Sequence, residues 1–349
     1  MENSSYNSQI RQLRILAEAA LTRYDIGNAR LTLLSHRKDT VFRVNTYSRS
    51  GWVGSDTEKA EEGRFVLHLC DPAGLDSQML RSELQWLSAL RRDTDLFVPE
   101  PVLTRDDEAI VTVQVEDVIE ERICVLLRWV PGRSVDSGLS PTLFERVGLF
   151  MARLHQHARY FVPSSDFVRP SWHWETVIGD ETILDPDFAT THCDDLITGH
   201  EYRLLSEVAE RARDELERLP LTADHYGLIH GNFQQANYLF YRGDISAIDF
   251  QHCGWNYYLF DIAVTFDGIA HRLDADALRQ AFFRGYKRVR VLPAHYEELV
   301  SIFTALRLIE HLNMLFRSRD SAVRALIPKD FPFALDQLQQ RFSTHARRS

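Results

Sequence analysis

The stretch Ile229–Gly254, IHGNFQQANYLFYRGDISAIDFQHCG, decides how this chain is read. Two short apolar runs, GLIH ending at His230 and YLF at 238–240, flank a polar loop. A turn follows at Arg242–Asp244, and SAIDF forms a further short strand. The pattern is strand, loop, strand, turn, strand. It presents Asn232, Asn237 and Asp249 from adjacent connections, and side chains at such ends can converge on one ligand. Asn237 and Asp249 supply hard oxygens of the kind that suits Mg2+. Mg2+ with the phosphates of ATP is the natural ligand, because phosphoryl transfer depends on positioning and charge neutralisation.

Outward from this stretch, the two halves of the chain differ. Upstream it reads mostly as strands. Leu31–Leu34 is short and apolar, and TVFRVNTY (40–47) alternates apolar and polar residues as a half-buried strand does. RFVLHLC (64–70), AIVTVQVE (109–116) and RICVLLRWV (122–130) are further strands, and the polar residues 48–63 form a loop. Residues 8–24 carry apolar side chains at helical spacing. Gln78–Arg91 is a helix with Leu80, Leu84, Leu87 and Leu90 on one stripe. Pro131-Gly132 then punctuates the chain, and helical periodicity takes over. Pro141–Arg159 begins after Ser140, an N-cap, with proline at the first helical position. Glu201–Leu219, 276–287, 294–314 and 331–346 complete the helical half. The order predicts an α+β chain in two lobes with a hinge near residues 128–134. It divides into an N-terminal helical extension at 1–19, a smaller sheet lobe at 20–130 and a larger helical lobe at 131–349.

Composition narrows the function classes. The 349 residues are 44% hydrophobic, with six Trp, twelve Tyr and twenty Phe, enough for a packed core. The net charge of −10 argues against nucleic acid or an anionic membrane as the partner. Cys70, Cys124, Cys193 and Cys253 include no CxxC pair, so they read as free thiols in a reducing compartment. HCD at 192–194 and HC at 252–253 are too weakly spaced to make a zinc site. The N-terminus has no basic region followed by an apolar run, and a cytoplasmic protein is expected.

The central stretch resembles the aminoglycoside phosphotransferase and choline kinase superfamily, whose fold is protein-kinase-like. That family reads H-G-D-x-x-x-x-N, a short strand, then I-D-[FW]; this chain has His230, Gly231, Asn232, Asn237, Ile248, Asp249 and Phe250. YYLFDIAVTF resembles the segment whose Asp, here Asp261, braces the catalytic loop. SELQWLSAL resembles the helix whose acid, here Glu83, pairs with a basic residue on the third strand. VPEPV and LLRWVPGR resemble the stretches before the hinge. The resemblance covers roughly residues 20–320 and rests on several motifs in order. It implies a small antiparallel-sheet lobe and a larger helical one, with ATP and Mg2+ as cofactors. Asn237 and Asp249 would hold Mg2+, and the backbone around Trp129 would meet adenine. His36, Arg37 and Lys38, in a loop without glycine, would lie over the phosphates.

Three departures from that pattern bear on activity. Asn232 stands where the family has its catalytic Asp; an amide accepts a hydrogen bond from a hydroxyl but takes no proton near neutral pH. His68 falls where a Lys or Arg would clamp the phosphates, and pairing with Glu83 would favour its charged form. Gln235 replaces a common histidine, and Gln251 sits where acids are frequent. The leading expectation is therefore a catalytically impaired kinase-like protein that retains an ATP/Mg-type site. One alternative is an active small-molecule O-phosphotransferase, with Asn232 orienting the acceptor hydroxyl. Another is nucleotidyl transfer or other metal-assisted chemistry. Residues 175–195 carry seven acids and no Lys or Arg, beside Trp174 and Phe188. They read either as a solvated acidic loop or as the wall of a pocket for a cationic acceptor or metabolite. A partner protein or a homodimer also fits an impaired kinase.

Overall fold

The computed structural model describes residues 2–36, 39–47, 63–72, 75–116, 118–135, 138–172, 179–193 and 196–343. In chain order its helices are α1 Glu2–Leu21, α2 Ser77–Asp93, α3 Pro141–Tyr160, α4 Pro186–His192, α5 Gly199–Arg218, α6 Tyr258–Asp267, α7 Ala275–Tyr286, α8 Tyr296–Arg317, α9 Ser321–Arg324 and α10 Ile327–Ser343. The strands are β1 Asn28–His36, β2 Thr40–Tyr47, β3 Arg64–Cys70, β4 Val111–Val115, β5 Val118–Arg128, β6 Tyr226–Ile229, β7 Tyr238–Tyr241, β8 Asp244–Ala247 and β9 Gly254–Tyr257. The chain divides into two compact units. The first comprises residues 1–135, 161–169 and 238–251; the second comprises 136–160, 170–237 and 252–349.

The first unit is built on a five-stranded antiparallel sheet in the order β1-β2-β3-β5-β4. Alternation sets its core face: Thr40, Phe42 and Val44 of β2 are buried while the residues between them are half-exposed. Helix α1 covers that face, and its Leu13, Leu16, Ala17 and Ala20 pack with Phe42, Val44, Leu67 and Leu126. Helix α2 opens at Asp76, whose carboxylate accepts from the amides of Gln78 and Met79. The expected leucine stripe is buried, joined by Trp86. The β7–β8 hairpin turns through Arg242 and Gly243, both at positive φ, as a two-residue hairpin turn requires. It is tied to the chain after β5: Arg133 bridges to Phe240, and the Ser246 hydroxyl donates to the Pro131 carbonyl at 3.1 Å.

The second unit is mainly helical. The Ser140 hydroxyl accepts from the Leu143 amide at 3.4 Å, so Ser140 caps α3 as expected. Helices α3 and α7 pack so closely that a Cβ on Gly148 would sit 2.1 Å from the Phe282 carbonyl oxygen. Phe144, Phe266, Phe282 and Phe283 interlock around this contact. Helix α8 is long and apolar enough to cross a membrane, but 72% of that apolar window is buried within the protein, which marks a core helix. The β6–β9 pair is antiparallel and brings the start of the 230–237 loop beside α6.

Candidate functional site

In the second unit, the carboxylate of Asp261 organises the entry to the loop. It is fully buried and accepts the amides of His230 and Gly231, each at 2.8 Å. The His155 Nε2–H donates to the same carboxylate at 3.2 Å, and its Nδ1 faces the Tyr286 hydroxyl at 2.9 Å. Burial is the main influence on His155 and pushes its pKa down, so its ring acts here as a neutral donor. Gly231 has φ +76°, and a Cβ there would lie 2.2 Å from the His252 carbonyl oxygen, so the position demands glycine. His230 is buried; its Nδ1 accepts the Asn232 amide at 3.3 Å, a packed and hydrogen-bonded role.

The loop then holds Asn237. Its Nδ2 donates to the Asn232 carbonyl at 2.8 Å. A carbonyl only accepts, so that bond fixes which end of the amide is NH2 and leaves Oδ1 to face another partner. The same Asn232 carbonyl accepts the Gln234 amide at 2.9 Å, and the Thr265 hydroxyl donates to the Phe233 carbonyl at 2.6 Å. The loop is thus pinned from within and from α6. Past the end of α6, a Cβ added at Gly268 would lie 3.9 Å from the Gln235 amide nitrogen and 4.0 Å from the Gln234 Cβ. Next to it stands Asp267, whose carboxyl burial pushes above its usual range, against the opposing pull of Arg307, His311 and Arg341.

In the first unit, Asp249 follows β8 in the left-handed region at φ +65°. Among the described residues its carboxylate accepts no hydrogen bond, which suits a cation ligand. Phe250 is buried edge-on against Trp86 of α2, with ring centroids 5.6 Å apart. His68 lies on β3, between Val41 of β2 and Val125 of β5. Burial pushes its pKa down, against the raising pull of the Asp249 and Asp39 carboxylates, so the imidazole is neutral near pH 7. Where the sequence suggested His68 as the partner of Glu83, the structure gives Arg169: Nη1 lies 3.7 Å from Glu83 Oε2. Arg169 had no local signal, because its contacts reach across more than eighty residues of chain.

The remaining expected residues are placed as follows. His36 ends β1, with Nδ1 2.8 Å from the Thr40 hydroxyl and its ring against Tyr6. Arg37 and Lys38 lie outside the described residues, as does Trp174. Trp129 is half-buried, and its amide donates to the Arg64 carbonyl at 3.0 Å. Asn232 and Asn237 belong to one unit and Asp249 to the other. Among the described residues no group of three or more His, Cys, Asp or Glu side chains is arranged to hold a metal. Taken one by one, Asn237 and Asp249 each carry a hard oxygen of the kind that Mg2+ prefers. A cavity of about 200 Å3 among α5, α8 and α10, lined by Arg211, Arg218, His295 and Arg341, includes none of these residues.

Comparison with known proteins gives a consistent picture. The chain matches the phosphotransferase enzyme family over residues 48–299. It is 23% identical to the amicoumacin kinase of Bacillus subtilis (strain 168) over 255 residues, 72% of this chain and 66% of that one. An uncharacterized protein of Synechocystis sp. is 24% identical over 241 residues, 69% of this chain and 64% of that one. The chain therefore spans a little under two thirds of these relatives' length. Among solved structures, a microcompartment-associated aminopropanol kinase superposes with a TM-score of 0.73 at 27% identity, covering 94% of this chain and 96% of that one. An amicoumacin kinase in complex with AMP-PNP, Ca2+ and Ami superposes with a TM-score of 0.71 at 18% identity, covering 93% of each chain. The five-stranded antiparallel sheet and the mainly helical remainder are thus those of a protein-kinase-like fold, and the chain belongs to the phosphotransferase enzyme family.

Proposed function

We propose that this protein is a kinase-like member of its family that binds ATP with Mg2+ through Asn237 and Asp249 and is impaired in phosphoryl transfer. The observation that carries the reading is Asn232, an amide where the family places its catalytic carboxylate. A bound metal would neutralise charge on the phosphates and help align them. Asn237 is pre-set for its share by the bond from Nδ2 to the Asn232 carbonyl. Transfer to an alcohol forms a bond from the acceptor oxygen to the γ-phosphorus and breaks the bridge to the β-phosphate, releasing ADP and a proton. Asn232 can orient the hydroxyl but cannot take that proton. His68 is held neutral and supplies no fixed cation to the phosphates. Both deficits slow transfer without abolishing binding.

The test is a comparison of wild type with Asn232→Asp. Wild-type protein should bind ATP in a Mg2+-dependent way and form ADP slowly with every amino alcohol, aminoglycoside and sugar offered. Asn232→Asp should raise turnover by about 10²-fold or more where the acceptor is right. Efficient turnover by the wild type would overturn the impaired reading.

One observation favours a second reading, an active kinase for a small amino alcohol. The similarity to an aminopropanol kinase supports that acceptor chemistry. Saturable ADP formation that needs both the amine and the hydroxyl of such a compound would favour it.

A further inference from the structure

Asp249 is a non-glycine residue held in the left-handed region, a conformation that persists only where its surroundings over-determine it. Two clamps from helix α2 do so, one on each of the residues that follow. Trp86 packs against Phe250. The second clamp runs through Arg169, whose side chain is 4% exposed. Its Nη2 donates to the Gln251 carbonyl at 2.5 Å, and its Nη1 donates to the Met79 carbonyl at 3.1 Å, with Glu83 beside it at 3.7 Å. One planar cation thereby joins the turn after Asp249 to the first two turns of α2. The segment carrying Arg169 is itself laid along α2. Ser164 donates to Gln85, the Asp166 carbonyl accepts from Gln78, and the Val168 amide donates to Ser82 at 2.8 Å.

We infer that Arg169 is the positioning residue that holds Asp249 in its ligand-bearing conformation. It also occupies Glu83, the acid that a cation on β3 would otherwise engage. The α2 carboxylate thus has its cation from the segment at 161–169 and not from the sheet. The chemistry requires arginine, because a rigid fork can serve two carbonyls and a carboxylate together, whereas an ammonium is a single point. This role rests on the reading of Asp249 as a metal ligand only for its functional consequence; the clamp itself is independent of any ligand.

The experiment has two limbs on full-length protein. In ligand-free protein, hydrogen exchange at the amides of Asp249, Phe250 and Gln251 should rise about tenfold in Arg169→Met, while amides of β2 and β3 stay as in wild type. The Mg2+ concentration that half-saturates binding of a fluorescent ATP analogue should rise by about tenfold or more, as when a residue supporting a metal ligand is lost. Arg169→Lys should give intermediate values in both limbs. Exchange at 249–251 within twofold of wild type would overturn the positioning role. If wild type shows no Mg2+-dependent nucleotide binding, the metal reading fails and the exchange limb still decides Arg169. If Arg169→Met does not fold, Arg169→Lys carries the test, and wild-type exchange and Mg2+ dependence in that variant would overturn the role.

Discussion

Glu83 shows how far one side chain can depart from its usual chemistry. Its carboxyl is pushed up to about 7, chiefly by burial and further by Asp249, with Arg169 pulling the other way. An ordinary glutamate titrates at 4.5, so the folded protein retains a proton that the unfolded chain has released over the range between the two values. Stability contributed by this group therefore falls as pH rises from about 4.5 to about 7. Glu83→Gln removes that dependence. The thermal midpoint of the variant, measured against wild type, should improve steadily between about pH 5 and about pH 7. A difference that stays flat with pH would show that Glu83 is charged throughout. Asp267 follows the same sign, since burial also raises its pKa. Asp267→Asn should therefore gain in thermal midpoint over wild type as pH rises toward neutral, and a difference that does not change with pH would show an ordinary carboxylate there.

Among the elements, helix packing supplies the sharpest constraint. A Cβ added at Gly285 would approach the Glu145 carbonyl oxygen of α3, and one at Gly148 would approach the Phe282 carbonyl oxygen of α7. Both obstacles are backbone, which cannot swing aside. Gly148→Ala and Gly285→Ala should each cost about 1–3 kcal/mol, read as a lower denaturant midpoint. Ordinary helix propensity predicts the opposite, a gain of about 0.5–1 kcal/mol for alanine, so the sign alone decides. The same elements show what local sequence could and could not convey. Helix α2 was legible because its leucines recur on one stripe against polar residues, and β2 because its side chains alternate. The expected helix at 8–24 lies at Glu2–Leu21 instead, its apolar face buried on the sheet. Helix α6 offered no period, because every residue from Tyr258 to Phe266 is buried. The loop from His230 to Asn237 was legible as a motif, since its residues are neighbours in sequence. Arg169 was not, because its meaning comes from carbonyls at Met79 and Gln251 that only folding brings to it.

At the scale of the whole molecule, the sheet unit is assembled from three separate pieces of chain. Residues 1–135 contain all five sheet strands but neither the 161–169 segment nor the β7–β8 hairpin. That fragment lacks the Phe97 pairing with Ser246 and Ala247, the Arg169 contact with Glu83, and the Phe250 ring against Trp86. Expressed alone, residues 1–135 should show strand signal in the far-ultraviolet without the sharp near-ultraviolet aromatic bands of the intact protein. Native-like near-ultraviolet bands in the fragment would show that the later pieces are accessories.

The interleaving has a consequence for how the protein is made. A ribosome delivers the chain from its N-terminus, so the sheet strands emerge well before residue 251. Until then, Trp86 and the buried side of α2 lack the partners they meet in the finished fold. Helix α1 can cover its face of the sheet at once, but α2 must wait, partly uncovered, through the synthesis of α3, α4 and α5. A protein built this way exposes apolar surface on the ribosome for longer than one whose units are continuous in sequence, and faster elongation through α3–α5 shortens that interval.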